Sequence, residues 1–298
     1  MKVSLSGLKD TAAWEKAGVV LPAFDIQRMR AVSRERPVWV HFGAGNIFRA
    51  FIADLQQRLL DAGEAECGIA AADTFDVDNI RMIYGGYDNL TMAATLNADA
   101  TVGLKIIASV SEALVGQTGE KADWARLTEI FENPSLQMVS FTITEKGYAL
   151  LGLDGKPTKM ALADMENGPE KPTHGMSAVT ALLLRRYLRG GAPVAMVSMD
   201  NCSHNGEKLK NAVLTVARAW EARGYADRGF IDYLSDENRV SFPWSMIDKI
   251  TPRPARTVQT ILEEKGVEDM APILTPRGTY LAPFVNAEKP QYLNRLTY

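Results

Sequence analysis

Two glycines, Gly43 and Gly45, stand between an apolar run and a helical one, a spacing typical of a phosphate-binding turn. The apolar run predicts a strand, and the amphipathic run 50–60 predicts a helix that begins near Asn46. Gly43 lets the chain leave the strand tightly, and Gly45 lets the backbone approach a pyrophosphate at the positive end of that helix. Phe48 replaces the third glycine of the usual G-x-G-x-x-G pattern. The pattern alone therefore leaves open a nucleotide site or a plain strand-to-helix loop.

Asp73 closes the next apolar run, 67–72, at the position where a nucleotide-binding fold places an acidic residue. Its carboxylate there accepts hydrogen bonds from the adenosine ribose and repels a 2′-phosphate. The alternative is that Asp73 caps the N-terminus of a helical segment from Val77. Both interpretations stay open at the level of the sequence.

A polar cluster follows the buried strand predicted at 136–143. Thr144, Glu145 and Lys146 then lie at the carboxyl edge of the sheet, where open α/β sheets bind ligands. We predict that these three residues contact a cofactor. Alternatively, Glu145 and Lys146 form an exposed charged pair on a turn.

The densest group of polar side chains occupies 198–206, after the apolar strand predicted at 193–198. A carbonyl that accepts hydride becomes an alkoxide, and the Asn201 amide is suited to donate a hydrogen bond to it. His204 and Asn205 are predicted to contact the substrate. For His204, helix capping or an ordinary polar loop is the alternative.

The segment 242–254 mixes apolar anchors with Asp248 and Lys249. Consecutive side chains of an extended segment point opposite ways, so only one of the two charged groups can readily face a pocket. Asp248 is the predicted site residue. The alternative is a surface salt bridge.

The composition limits the classes of function. A formal net charge of −3, with no cluster of basic residues, argues against nucleic acid as a partner. Cys67 and Cys202 lie far apart, which favours a reducing compartment over a disulfide framework. No apolar run approaches the length of a membrane span, so a cytoplasmic protein is expected. The three histidines lack zinc-ligand spacing, and no metal is predicted.

Strand and helix patterns alternate along the chain, which predicts an α/β fold with a doubly wound, mostly parallel Rossmann-type sheet. Two extended runs around 97–100 predict a β-hairpin inserted into this alternation. We predict a lead-in at 1–36, a nucleotide-binding domain at 37–285 and a further short segment at 286–298.

Four segments together resemble the mannitol dehydrogenase family of metal-independent polyol dehydrogenases, which includes mannitol 2-dehydrogenase and the fructuronate and tagaturonate reductases. The segments are 41–49, 142–148, 200–206 and 242–252. The resemblance implies NAD as the cofactor, with Gly43, Gly45 and Asn46 at the pyrophosphate and Asp73 at the ribose. It also implies that Asn201 is half of an oxyanion hole and that Asp248 supports a catalytic lysine.

Members of this family normally continue into a helical domain with a Lys-x-x-x-x-Asn-x-x-His signature, which does not occur in these 298 residues. The expectation is that this C-terminal domain is missing and that 286–298 is its stub. The resemblance implies an NAD-dependent oxidoreductase acting on a sugar alcohol, ketose or sugar acid, as a monomer or small homo-oligomer. The alternatives are a catalytically silent NAD-binding domain and a sugar-phosphate dehydrogenase of the mannitol-1-phosphate type.

Overall fold

The computed structural model describes residues 1–288, apart from Ala98, Ala100, Leu153, Asp248, Ile250, Pro276 and Arg277. The strands are β1 Val19–Val20, β2 Trp39–Phe42, β3 Ile69–Asp73, β4 Thr91–Leu96, β5 Val102–Ile107, β6 Val110–Val115, β7 Met138–Phe141, β8 Val194–Ser198, β9 Val240–Ser241, β10 Ile273–Leu274, β11 Tyr280–Leu281 and β12 Phe284–Glu288. The predicted site residue Asp248 and most of the predicted segment 286–298 lie outside the described residues.

The helices cover the sheets and connect the strands. They are α1 Thr11–Lys16, α2 Ile26–Glu35, α3 Ala53–Asp61, α4 Lys121–Glu132, α5 Thr144–Tyr148, α6 Lys159–Asn167, α7 Gly175–Leu188, α8 Asn205–Glu221, α9 Arg228–Ser235 and α10 Arg256–Glu264. Two π-helical stretches, Phe48–Ile52 and Asn79–Tyr84, and a short 3₁₀ helix, Gly7–Lys9, accompany them. No helix of the described residues is long and apolar enough to cross a membrane.

The main sheet is parallel and has the strand order β6-β3-β2-β7-β8-β9. Counted along the chain this is 3-2-1-4-5-6, the order of dinucleotide-binding Rossmann folds. The predicted fold class is confirmed. The predicted hairpin is confirmed as well, since β4 and β5 pair antiparallel on either side of 97–101.

A second sheet, with the order β1-β5-β4-β12, lies beside the main one. It joins β1, from the lead-in segment, to β12, near the end of the described chain, through the hairpin strands. Both faces of its central part are buried. Ala93 and Val285 face the main sheet's cluster, whereas Met92 and Phe284 face a cluster that includes Trp14.

The other face of the main sheet carries the largest cluster of buried side chains, where strands meet α4, α7 and α8. Leu127, Leu183 and Val213 from these helices pack with Val139 and Met196 from the strands. The apolar strands are thus covered on both faces, as parallel sheets require. The helix α8 begins at Asn205, which places Asn205 inside the first helical turn.

Candidate functional site

The site lies at the carboxyl ends of β2 and β7. In this strand order the chain moves outward from β2 in one direction and from β7 in the other, so the connections leave a crevice between these two strands. The segments that follow β2, β3, β7 and β8 all reach the same edge of the sheet. They contain Gly43, Thr144 and Asn201, and Asp73 is the last residue of β3 at the same edge.

Gly43 makes the sharp exit from β2. Its φ of 100° belongs to the left-handed half of conformational space, where side chains are strained. A Cβ placed on Gly43 would also lie 2.2 Å from the carbonyl oxygen of Thr142. Two independent reasons therefore demand glycine here, and both concern the fold.

The peptide group that joins Gly43 to Ala44 is held from both sides. Its carbonyl oxygen accepts a hydrogen bond of 2.9 Å from the Thr142 hydroxyl, after β7. Its N–H, on Ala44, donates to a carboxylate oxygen of Asp73, at the end of β3, over 3.2 Å. One peptide plane is thereby fixed between the two neighbours of β2.

The next peptide group, from Ala44 to Gly45, is held only on its inner side. The Ala44 carbonyl accepts hydrogen bonds from Asn79 Nδ2 at 2.7 Å and from the Tyr84 hydroxyl at 2.9 Å. In a trans peptide the N–H points opposite to the C=O, so the Gly45 N–H points outward. Gly45 is exposed, and an added Cβ would meet no described atom within 4 Å.

This outward-facing turn fits a phosphate group. The helix begins at Asn46, and the first N–H groups of a helix have no partner within it. They share the open space with the Gly45 N–H, at the end of the helix that attracts anions. The predicted residues Gly43, Gly45 and Asn46 thus form one continuous turn. Gly43 allows the sharp exit from β2, and Gly45 faces open space.

Asp73 is buried, at 9% exposure, and it accepts further hydrogen bonds of 2.8 Å from the backbone N–H groups of Phe75 and Asp76. The helical segment from Val77 is capped by Asp76, whose carboxylate accepts from the Asn79 N–H at 3.2 Å. The capping alternative for Asp73 therefore belongs to Asp76. Asp73 lies directly beside the glycine turn, and its contact with a ribose stays a prediction.

Asp200, after β8, fastens the loop that follows β7. Its carboxylate accepts hydrogen bonds from the N–H groups of Ile143 at 3.0 Å and Thr144 at 2.9 Å. The Tyr148 hydroxyl donates to the same carboxylate over 2.6 Å. Burial, with the nearby Asp200 charge, raises the pKa of Tyr148 above its usual range, so the hydroxyl stays a donor. Thr144 has a φ of 63°, a strained conformation that these contacts hold in place.

Glu145 and Lys146 do not pair with each other. Glu145 forms a salt bridge with Lys208 on α8. Lys146 is exposed and makes no salt bridge with any described residue. Its ammonium group is therefore available to an anionic ligand at this edge, which keeps its cofactor role as a prediction.

Asn201 is exposed, and its side-chain amide makes no hydrogen bond within the described part of the chain. His204 stands at the N-cap position of α8 with a φ of 55°, but its side chain does not cap the helix. Its ring instead stacks on Trp244, with ring centroids 4.4 Å apart. Both side chains are accessible to a ligand, and their contacts with a substrate stay predictions.

Asn205 differs from them, because its side chain is 1% exposed. Its Nδ2 donates to the carbonyl oxygens of Ser198 at 3.3 Å, Asp200 at 3.1 Å and Ser245 at 2.9 Å. Its Oδ1 accepts from the N–H groups of Gly206 and Ser245. The amide joins the loop after β8 to Ser245, in the segment that follows β9, and the predicted substrate contact of Asn205 stays untested.

Lys249 also lies near the helix that follows the glycine turn. The Lys249 ammonium lies 5.8 Å from the ring centroid of Phe51, which belongs to the helix after the turn. Ser245 contacts the segment 198–206, as described above. The described residues of the four segments that suggested a family resemblance therefore meet at one edge of the sheet. Among the described residues, no group of three or more His, Cys, Asp or Glu side chains is placed to hold a metal ion.

Sequence reasoning missed the residues that hold the turn, namely Thr142, Asn79 and Tyr84. Thr142 had a signal, because it continues the period-two alternation of β7 through Ser140 and so lies on the same side of the strand. Asn79 and Tyr84 had no local signal, since they lie 35 and 40 residues from the carbonyl that they hold.

The chain was compared with known proteins. The family model described as the mannitol dehydrogenase Rossmann domain matches residues 38–275. D-mannonate oxidoreductase of Thermotoga maritima is 46% identical over 293 residues, covering 98% of this chain and 54% of that protein. Mannitol 2-dehydrogenase of Cereibacter sphaeroides is 28% identical, covering 80% of this chain and 48% of that protein.

Among solved structures, mannitol 2-dehydrogenase of Pseudomonas fluorescens, in a ternary complex with NAD and D-mannitol, superposes with a TM-score of 0.74. The match has 24% identity and covers 97% of this chain and 53% of that one, and it supports the fold. The chain spans about half the length of the curated relatives it matches.

Proposed function

Because the chain belongs to the mannitol dehydrogenase family, we propose that it forms the NAD(H)-binding part of an oxidoreductase acting on a sugar acid or sugar alcohol. The reaction interconverts a secondary alcohol and a ketone. The similarity to D-mannonate oxidoreductase of Thermotoga maritima favours a sugar acid of the mannonate and fructuronate type over a neutral polyol.

The observation that carries this proposal is the glycine turn. Its two peptide groups are fixed by buried and half-buried partners, and the Gly45 N–H faces open space at a helix N-terminus. A site prepared in this way loses little freedom when a pyrophosphate binds, which favours affinity. A plain connecting loop has no need of such an outward-facing arrangement.

The side chains around the turn have separate roles in this proposal. Gly45 and Asn46 hold the pyrophosphate through backbone N–H groups, and Lys146 adds a positive charge at the same edge. Asp73 keeps the turn in place and opposes a 2′-phosphate by like charge. Bound NAD(H) supplies the hydride acceptor or donor.

Asn201 is the proposed donor to the substrate oxygen. Its amide is accessible and makes no hydrogen bond within the described residues, so it can donate to the oxygen that gains negative charge when a ketone is reduced. Removing such a donor typically lowers kcat about 10²–10³-fold. Asp248 stays the proposed support of a catalytic lysine by family resemblance alone.

A second candidate, NAD(H) binding without turnover by this chain alone, is favoured by one observation. No lysine of the 298 residues fits the Lys-x-x-x-x-Asn-x-x-His spacing. Lys208 is paired with Glu145, and the Lys249 ammonium lies over the Phe51 ring, so neither replaces the acid/base lysine in this proposal.

Calorimetric titration with NADH, followed by NADH oxidation assays with fructuronate, tagaturonate and fructose, tests the proposal. We expect the chain alone to bind NADH and to show little turnover with any of the three substrates. The turnover should rise when the C-terminal half of the Thermotoga relative is supplied. Under those conditions Asn201→Ala should lower the rate, whereas Asn211→Ala, an exposed asparagine on α8, should not. Absence of NADH binding would overturn the proposal, and robust turnover by the chain alone would overturn the second candidate.

A further inference from the structure

A chain of hydrogen bonds, buried at its centre and half-buried at its ends, runs across β2 and β7 to the glycine turn. The Trp39 indole N–H donates to the Ser140 hydroxyl at 2.7 Å, and that hydroxyl lies 2.6 Å from His41 Nδ1. His41 Nε2 lies 2.8 Å from the Thr142 hydroxyl, which reaches the Gly43 carbonyl oxygen at 2.9 Å. His41 and Ser140 are both fully buried and pair directly in the parallel register.

The direction of each bond in this chain follows from its two ends together with a neutral His41 ring. A carbonyl oxygen only accepts, so the Thr142 hydroxyl donates to it and must itself accept from His41 Nε2–H. An indole N–H only donates, so Ser140 accepts from it. In a neutral ring with its proton on Nε2, Nδ1 is an acceptor, so the Ser140 hydroxyl donates its own proton to His41 Nδ1. The only arrangement that satisfies all these groups is a neutral His41 with its proton on Nε2. Burial lowers the pKa of His41 to about 3, which agrees with a neutral ring.

The ring of His41 is also fixed in orientation. It stacks on Phe48 with centroids 4.3 Å apart and planes 10° apart. Phe48 occupies the position of the third glycine in the usual dinucleotide pattern, where a small residue lets helix and strand pack closely. Here an aromatic stack makes the contact between β2 and the helix after the turn.

We propose that His41 is a positioning residue for nucleotide binding, holding the Gly43–Ala44 peptide through Thr142 so that the Gly45 N–H faces the phosphate. This inference rests on the proposed function, because it assigns a task to residues that do not touch the ligand. The fixed tautomer keeps the Thr142 proton directed at Gly43. Asp73 holds the opposite side of the same peptide.

The tautomer is tested by NMR on the full chain labelled with ¹⁵N-histidine. Long-range ¹H–¹⁵N correlations distinguish protonated from unprotonated ring nitrogens, and the spectrum of His41→Gln identifies the His41 signals. We expect Nε2 protonated and Nδ1 unprotonated, with no change between about pH 8 and 5 because the ring pKa lies far below its usual value. A proton on Nδ1, or titration within this range, would overturn the inference. This measurement needs no cofactor.

The coupling to binding is tested with Thr142→Val, which removes the hydroxyl and keeps the shape of the side chain. We expect NADH and ADP-ribose affinities to fall about 5- to 10-fold, as for the loss of roughly one hydrogen bond. Thr142→Ser, which keeps the hydroxyl, should restore them. Thr180→Val is the control, since the Thr180 hydroxyl also donates to a backbone carbonyl, within α7, although Thr180 is fully buried and Thr142 is half-buried.

Each outcome separates the two proposals. If the unmodified chain does not bind NADH, the proposed function fails while the tautomer measurement stands. If it binds, and Thr142→Val binds as tightly as Thr180→Val, the positioning role is refuted. Equal losses in Thr142→Val and Thr142→Ser would refute it too, because the hydroxyl would then be irrelevant.

Discussion

Replacing each glycine of the turn should separate folding from binding. Gly43→Ala places a methyl group at a φ of 100° and 2.2 Å from the Thr142 carbonyl oxygen. The left-handed conformation costs about 1–2 kcal/mol for a residue with a Cβ, and relieving a backbone overlap costs about 1–3 kcal/mol more. Gly45→Val meets neither obstacle, because its Cβ enters open space.

The magnitudes differ between the two variants. Gly43→Ala should lower the free energy of unfolding by about 3 kcal/mol, which corresponds to a Tm decrease of roughly 6–12 °C for a chain of this size. Gly45→Val should leave Tm within about 2 °C of the unmodified protein. Its side chain occupies the phosphate position and removes two charge-assisted hydrogen bonds, so NADH affinity should fall about 10²–10⁴-fold.

Thermal unfolding followed by circular dichroism and calorimetric NADH titration measure both quantities on the same samples. Gly103→Val, an exposed glycine of ordinary φ in β5, is the control, because a Cβ there makes only an ordinary contact with Thr95. It should change neither quantity. Unchanged stability in Gly43→Ala, or retained NADH binding in folded Gly45→Val, would refute the division of tasks between the two glycines.

Three further outcomes are expected. NADH should bind more tightly than NADPH, because Asp73 opposes a 2′-phosphate and the nearby Arg81 is paired with Glu120. Equal affinities in a titration with both cofactors would remove this role from Asp73. Arg186→Met should lower the free energy of unfolding by about 3–5 kcal/mol in urea denaturation, since the buried guanidinium donates to five backbone carbonyls. A loss below about 1 kcal/mol would contradict this stabilising role of Arg186. The His41 ring of the unfolded chain takes up a proton near pH 6.5, whereas the folded ring, with a pKa of about 3, does not. The free energy of unfolding should therefore decrease as the pH is lowered below 6.5, by at most about 1.4 kcal/mol per pH unit. His41→Gln should reduce that slope, and identical slopes in urea unfolding would contradict the prediction.

The elements of the main sheet could be predicted from the sequence because burial on both faces leaves a local pattern. The runs at 136–143 and 193–198 predicted strands that contain β7 and β8, and the glycines at 43 and 45 predicted the turn between strand and helix. The order of these elements, together with four polar segments at strand ends, was sufficient to predict the sheet and the edge that carries the candidate site.

The partners of polar side chains could not be predicted in this way. Asn205 looks like an exposed loop residue in the sequence, yet its amide is fully engaged between two segments 40 residues apart. Arg186 reads as a charge on an amphipathic helix but is buried against backbone carbonyls. The hydrogen-bond partners of a side chain depend on which distant backbone segments lie beside it in the folded chain. A local pattern of polar residues does not predict these segments.

The sequence by itself determined that a glycine turn follows the first strand of the main sheet, that Asp73 closes the next strand, and that the strands are mostly parallel, because these features leave local patterns of glycine spacing and burial. Only the tertiary structure decided that β1 and β12 complete one sheet with the hairpin, and that His41, Thr142 and Asp73 hold the turn from two sides. The physical reason is that strand pairing and side-chain contacts are made between distant segments, whose meeting depends on the packing of the whole chain.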